Sequence, residues 1–542
     1  MKDRIYKLTI SRLIVVGLCL VFQVAWLVVS IWKLSRYYIY FAMILGLLGI
    51  FVVLFIISKR DNPAYKLAWT VVILAVPIFG VILYLVCGRS RITRAMRKKF
   101  DAVYQNFAPY KKQDEMVLKA LEQEDESAGC ISRYISSQST YPVYQNTDTE
   151  YFPLGDDNFK VMLEELKKAR HFIFMEYFIV HAGVMWDSIL EILEQKVKEG
   201  VEVRFLYDDM GCVALLPYGY DKQLEKKGIQ CRAFNPFVPF LSIVMNNRDH
   251  RKIMVIDGHT GFTGGINLAD EYINVNSKYG HWKDTGIMLK GDAVQSLTVM
   301  FLEMWNGIKK SDVSYEKYLR TGESWKTGGK GETAPTAIGE TVPTAAEEAA
   351  ASLEGRELFR QGFVQPYCDT PLDHECVGES VYLNIINRAK HYVYIYTPYL
   401  IVDNEMMTAL CLAAKSGVDV RIITPHIPDK KLVFLLTQSY YSQLIDAGVH
   451  IYEYTPGFVH AKCFLSDDKF GTVGTINLDY RSLYLHFECG VFLYKTKAVE
   501  QLKEDFAQIF PICTEITKEF CDSRPWYVNF MQILLRLFAP LL

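Results

Sequence analysis

No C-x-x-C pair occurs in the 542 residues; the 12 cysteines are scattered singly, among them Cys19, Cys87, Cys130, Cys212, Cys231 and Cys368. This spacing argues against a zinc site and against a disulfide framework, so the cysteines read as reduced packing residues. An excess of either charge is missing as well. Lys and Arg number 59 against 61 Asp and Glu, a net charge of −2, which argues against a generally basic nucleic-acid binder. A secretory signal is also absent. The first apolar run is too long for a signal-peptide core, and no small-x-small cleavage site follows it.

Long apolar runs, by contrast, are plentiful at the N-terminus. Leu13–Trp32, Tyr37–Ser58 and Leu67–Gly88 are each about 20 residues long and almost free of charge, the length a bilayer-spanning helix needs. Pro77 and Gly80 interrupt the third, which membrane helices tolerate. Arg89, Arg91, Arg94, Arg97, Lys98 and Lys99 crowd its exit. By the positive-inside rule this end and the body after it face the cytoplasm. Three spans would then place Lys2, Arg4, Lys7 and Arg12 outside, against the same rule, so the side of the N-terminus stays open.

Beyond the membrane region (1–100) and a connector (101–140), the chain is written twice. His171-Phe-Ile-Phe-Met matches His391-Tyr-Val-Tyr-Ile; Lys198-Glu-Gly200-Val-Glu-Val-Arg204 matches Lys415-Ser-Gly417-Val-Asp-Val-Arg421; Lys227-Gly228-Ile229 matches Ala447-Gly448-Val449. Each set reads as strand, helix stop and buried strand in the same order. The expectation is an α/β fold of two duplicated domains, 141–320 and 358–512. Between them lies a Gly, Thr, Ala, Glu and Pro-rich linker, 321–357. An apolar helix, 513–542, closes the chain; Asn529, Gln532 and Arg536 recur along it at about one helical turn, which suits an interfacial or a core-packing helix.

One pattern recurs with identical spacing in both halves. His250, Lys252, Asp257 and Gly264-Gly265-Ile266-Asn267 correspond to His460, Lys462, Asp467 and Gly474-Thr475-Ile476-Asn477. His and Lys two apart on an extended segment project to one side. The imidazole suits nucleophilic or acid–base work and the ammonium suits a phosphate oxygen. The Gly-[Gly/Thr]-x-Asn box brings backbone and an amide donor to an anion. Two copies meeting at a pseudo-twofold would give one neutral histidine to attack phosphorus and one protonated histidine to serve the leaving alkoxide. No metal and no cofactor are expected. The lysines repel cations, and neither motif histidine has a partner at H-x3-H or H-x2-E spacing.

Each imidazole also needs a carboxylate to fix its tautomer. Asp284, in His281-Trp-Lys-Asp, and Glu488, in His486-Phe-Glu, are the candidates in the two halves. Asp270 and Asp479 read as structural, as do His171, His391 and His450. Asp208, Asp209 and Glu176 could face the site or support the fold.

The paired motifs resemble the phospholipase D superfamily, and nearly the whole chain is similar to its bacterial cardiolipin synthases, from Asn62-Pro63 and Cys87-Gly88-Arg89 to the closing Arg536-Leu-Phe-Ala-Pro-Leu-Leu. The resemblance implies mixed sheets flanked by helices behind N-terminal transmembrane helices, in a multi-pass protein of the cell membrane. It implies phosphatidylglycerol as substrate, cardiolipin as product and a phosphatidyl-histidine intermediate, with His250 as nucleophile and His460 as acid. Lys252, Lys462, Asn267 and Asn477 would bind phosphate; Asp257 and Asp467, counted with the catalytic set, would buttress it. Phosphatidylethanolamine is an alternative second donor. The rival readings are a membrane-bound phospholipase D-type hydrolase, a transphosphatidylase with another acceptor, a nuclease, and a non-catalytic lipid-binding scaffold. A nuclease would need a basic, aromatic-lined groove and no membrane helices.

Overall fold

Proline and glycine set the shape of the N-terminal region. The computed structural model describes residues 38–59, 62–88, 94–236, 247–312, 314–319, 362–373 and 375–541, with isolated positions before residue 38. The candidate span 13–32 and the linker 321–357 lie outside the described residues. Helix α1 (Tyr38–Ile57) runs for 20 residues without a charge. The third apolar run, expected as one span over 67–88, forms two helices instead, α2 (Pro63–Ala75) and α3 (Pro77–Cys87). Pro77 lacks the N–H that would continue the first helix, and its ring would clash with the carbonyl four residues back. Val76 leaves helical geometry, at φ −137° and ψ 76°, and α3 folds back along α2. Counted over the residues whose side chains are described, no helix is long and apolar enough to cross a membrane.

The body holds two sheets with one strand order. In the first half come β1 (Thr147–Phe152), β2 (Phe172–Tyr177), β3 (Glu202–Asp208) and β4 (Gln230–Phe234). They are followed by β5 (Ile253–Ile256), β6 (Thr260–Gly264), the short β7 (His281–Lys283) and β8 (Gly286–Gly291). The sheet order is β1-β8-β6-β5-β2-β3-β4. β2, β3 and β4 are parallel; the remaining pairs are antiparallel.

The second half repeats this with β9 (Phe363–Asp369), β10 (Tyr392–Tyr396), β11 (Asp419–Pro425) and β12 (His450–Tyr454). Then come β13 (Gly457–Val459), β14 (Cys463–Ser466), β15 (Phe470–Gly474), β16 (Glu488–Tyr494) and β17 (Cys513–Ile516). Its order is β9-β16-β15-β14-β10-β11-β12-β17. The expected C-terminal helix over 513–542 therefore begins late. Residues 513–516 are an edge strand on β12, and the helix itself is Trp526–Phe538.

Strands such as Phe172–Tyr177 are buried at every position, because apolar layers cover both faces of the parallel part of each sheet. The two halves share one core. Phe174, Val255 and Leu289 of the first half join Tyr396, Leu465 and Val491 of the second. Helices Val294–Ile308 and Lys497–Ile509 contribute Leu297, Phe301, Leu502 and Phe506 to the same cluster.

The motif aspartates lie at the far ends of the strands that the motif histidines precede. Asp257 and Asp467 adopt left-handed φ values of 52° and 53°, which Asp tolerates better than most residues. The Asp257 carboxylate accepts from the backbone N–H groups of Arg170, His171 and Phe172 at 2.7–2.8 Å. Asp467 accepts from Lys390, His391 and Tyr392 at 2.7–2.9 Å. Seven residues of extended chain, about 23 Å, separate each from its histidine. Both carboxylates tie strands together, away from the motif histidines. Asp257→Ala or Asp467→Ala should cost about 1–3 kcal/mol by stranding these donors, and Asp257→Asn less. Thermal unfolding of the full chain in detergent checks this; an unchanged midpoint for both alanine variants would refute it.

Candidate active site

Backbone pairing between the halves builds the site. The His250 N–H donates to the Phe487 carbonyl at 2.9 Å, and the Phe487 N–H donates to the Arg248 carbonyl at 2.8 Å. Symmetrically, β13 pairs in parallel with β7, and the His460 N–H donates to the Lys283 carbonyl at 2.7 Å. Each motif histidine thus lies beside the residue that precedes the other half's carboxylate. The consequence is a crossed pair. His250 Nδ1 sits 2.9 and 3.0 Å from the Glu488 carboxylate oxygens, while His460 Nδ1 sits 2.6 Å from Asp284 Oδ2. Glu488 accepts from His250 Nδ1, whereas His460 Nδ1 is shared between Asp284 and the Lys462 ammonium, 2.8 Å away.

All six groups are buried: His250 and His460 are 7% exposed, Lys252 and Lys462 1%, Asp284 and Glu488 0%. Burial disfavours charge. It lowers His250 to about 3, and it pushes His460 well below its ordinary value, helped by the ammoniums of Lys462, Lys252 and Lys430. Burial also lowers Lys252 to about 8 and Lys462 to about 7. The carboxylates diverge. Burial raises Asp284 to about 7. At Glu488 burial acts upward too, but the His250 imidazole and its hydrogen bond, with the His486 imidazole nearby, outweigh it and hold the group well below the carboxylate range. Burial leaves both imidazoles neutral and the lysines only weakly held as cations, and an anionic phosphate would restore charge to the lysines and to one imidazole.

The remaining predicted residues are more committed than their sequence suggests. Asn267 is 1% exposed; its Oδ1 accepts from the Ile179 N–H at 2.9 Å and its Nδ2 donates to Tyr272 Oη at 2.7 Å. Asn477 keeps a buried Oδ1 without a partner. The Gly/Thr difference between the boxes falls at the carboxylates. The Thr475 hydroxyl donates to Glu488 Oε2. At Gly265 any Cβ would lie 2.0 Å from Asp284 Oδ1, so only glycine leaves Asp284 its place. Asp208 caps Met210 and Gly211 and also accepts from the Asp249 N–H, at 2.9–3.0 Å, holding the residue before His250. Glu176 pairs with Arg251 at 2.7 Å behind the motif. Asp270 and Asp479 bind the backbone N–H groups of Met185 and Ser482.

Three contributors had no motif to mark them. The His486 ring lies 5.6 Å from that of His250, and Trp282 lies 5.5 Å from His460. Lys430 acts on His460 by charge alone. Among the described residues one set could hold a metal: His250, His486 and Glu488 offer ligand atoms within 4.8 Å of one another. That set reuses the His250–Glu488 hydrogen bond, and the Lys252 ammonium opposes a cation there.

The family described as "Cardiolipin synthase, PLD-like domain" matches residues 162–305 and 382–510, and "Phospholipase_D-nuclease N-terminal" matches 44–89. An uncharacterized protein of Streptococcus mutans is 43% identical over 490 residues, 90% of this chain and 99% of that one. A cardiolipin synthase of Geobacillus kaustophilus is 34% identical over 504 residues, 93% of this chain and 94% of its own length. The crystal structure of phosphatidylserine synthase from Haemophilus influenzae aligns at a TM-score of 0.51 with 15% identity, covering 76% of this chain and 97% of that one, a likeness of fold. By sequence match over both halves, the chain belongs to the PLD-like cardiolipin synthase family of the phospholipase D superfamily.

Proposed function

We propose that the chain is a phosphatidyltransferase that joins two phosphatidylglycerol molecules into cardiolipin, releasing glycerol. The observation that carries the reading is the crossed pair of His–carboxylate contacts within one lysine-lined, buried centre. In the first step His250 Nε2 attacks the phosphorus of one phosphatidylglycerol. The bond from phosphorus to the headgroup glycerol oxygen breaks, and His460 gives that oxygen its proton. In the second step the headgroup hydroxyl of another phosphatidylglycerol loses its proton to His460, attacks phosphorus and displaces His250. Lys252 and Lys462 stabilise the charge that develops on the phosphoryl oxygens.

The unequal carboxylates support this division of roles. Glu488, held anionic, steadies the positive charge that His250 gains on forming a phosphorus–nitrogen bond. Asp284, raised to about 7, can hold a proton against His460 Nδ1 near neutrality, which puts the imidazole's own proton on Nε2, where a general acid needs it. The apolar outward side chains of the N-terminal helices, among them Phe51, Leu54, Leu67 and Ile82, and of the C-terminal helix, Trp526 and Phe530, supply the membrane contact that a diacyl substrate demands. The body then faces the cytoplasm, with the basic exit of the third run beside it.

Purified full-length protein given labelled phosphatidylglycerol in liposomes, without added divalent metal, should yield cardiolipin and glycerol; phosphatidic acid alone would sink the transferase reading. His250→Ala and His460→Ala should each abolish exchange, and only His460→Ala should still accumulate lipid–protein adduct. Adduct in His250→Ala instead would reverse the two roles.

The acid must hold a proton to donate it. The kcat/KM of the wild type should therefore be high below, and fall as pH rises through, about 7, where Asp284 and Lys462 both lose a proton, and Asp284→Asn should lose most of the rate. A wild-type profile flat across neutrality would contradict it. Gly265→Ser should displace Asp284 and cost about 100-fold in transfer, the scale of an ångström's misplacement, whereas Thr475→Ser, which keeps the hydroxyl on Glu488, should stay near wild type. Parallel rate measurements on the two variants decide this.

A further inference from the structure

The third apolar run is built to enter a membrane and return from it. Helices α2 and α3 pair antiparallel along their whole length. Tyr65 Oη donates to the Gly88 carbonyl at 2.7 Å. The rings of Trp69 and Tyr84 meet edge to face at 5.3 Å. At Gly80 an added Cβ would stand 2.6 Å from the Ile73 Cα, so glycine there lets the two backbones close. With 13 and 11 residues, the helices measure about 20 and 17 Å, against about 30 Å of hydrocarbon in a bilayer.

The hairpin carries no charged residue from Leu67 to Gly88. Its turn and flanks present Leu74, Val76, Phe79 and Ile82 outward, while Ile73, Trp69 and Tyr84 pack inward with Val53 and Ile56 of α1. The open end is fastened to the second catalytic half. Asn62 Nδ2 donates to Asp403 and to Tyr484 Oη at 3.3 and 3.0 Å, and Leu541 packs on the same apolar cluster.

We propose that α2 and α3 form a re-entrant hairpin in the leaflet facing the catalytic body, so that the third run does not cross the bilayer. This rests on the membrane-bound reading above. Lys59-Arg60 and the cluster from Arg89 to Lys99 then lie on one side. Crossings remain only for the two earlier runs, which puts Lys2, Arg4, Lys7 and Arg12 on that same side and leaves Lys33 and Arg36 opposite. The conflict that three spans create with the positive-inside rule disappears. The occupant of the hairpin's outer face is lipid hydrocarbon: a charge-free apolar surface bracketed by basic residues at both ends of its base matches one leaflet and its anionic headgroups.

Single cysteines at Ser58→Cys, Val76→Cys and Ser90→Cys, in a full-length chain whose native cysteines are replaced and whose transfer activity is retained, test this with a membrane-impermeant maleimide. Right-side-out and inverted vesicles are labelled in parallel. Ser58→Cys and Ser90→Cys should react from the same face, and Val76→Cys should lose labelling from both faces until detergent is added. Labelling of positions 58 and 90 from opposite faces, or of position 76 from the face opposite to them, overturns the hairpin while leaving membrane attachment intact. Release of the whole chain by alkaline carbonate overturns the membrane-bound reading itself, and the hairpin with it.

Discussion

A catalytic imidazole is only as well oriented as the carboxylate behind it, and here each carboxylate belongs to the other half of the chain. Glu488 reaches His250, and Asp284 reaches His460. Backbone bonds fix this exchange, since Arg248 and His250 bond Phe487 and residues 281–283 pair with 457–460. Neither half can hold a competent histidine by itself. The shared core between the sheets serves the same end, because a small slip of one domain over the other would lengthen both His–carboxylate contacts at once. Lys283 illustrates the coupling. Its carbonyl accepts from His460, and its buried ammonium is locked to Asp505, 2.8 Å away, on a second-half helix. The pairing that aligns the site is pinned by an ion pair between the same two domains.

Burial gives the site its selectivity for an anion. Two lysines and two imidazoles enclosed together suppress one another's charge, so the empty centre holds fewer protons than its composition suggests. A phosphodiester brings the negative charge that lets the lysines stay protonated and one imidazole gain a proton. Water supplies no such charge.

The duplication was legible because it is local: strand, glycine stop, strand and H-x-K-x4-D lie in register within each half, and the same order appears in the two sheets. The carboxylates were legible as residues but not as pairs. Which half's Asp284 or Glu488 serves which histidine depends on contacts between residues about 180–240 apart, to which periodicity is blind. The third apolar run misled for a related reason. Its hydropathy matches a span, and only the clash of Pro77 with the preceding turn, together with the close approach at Gly80, turns 22 apolar residues into a hairpin. Asn267 looked like a phosphate ligand because an amide beside a glycine box has that chemistry. Its Oδ1 is taken by the Ile179 N–H and one Nδ2 hydrogen by Tyr272, bonds that the sequence does not announce. Residues 513–516 were assigned to a helix because apolar sequence follows them, yet an unpaired edge on β12 recruited them as a strand.

Near-symmetry would leave two equivalent histidines, and a transferase needs unequal ones. The asymmetry enters at positions flanking the motif. Where the first half has Trp282 against His460, the second has His486 against His250. Indole offers His460 apolar surface and nothing to share a proton with. His486 instead adds a second imidazole beside Glu488, its Nδ1 3.7 Å from the carboxylate. Thr475 donates to Glu488 while Gly265 leaves Asp284 without a hydroxyl. The Thr475 hydroxyl and the neighbouring imidazoles favour the Glu488 anion; at Asp284 burial outweighs the Thr285 N–H and the nearby lysines and pushes that carboxyl upward. Two differences beside each histidine thus leave His250 with a carboxylate held anionic and His460 with one that can itself hold a proton.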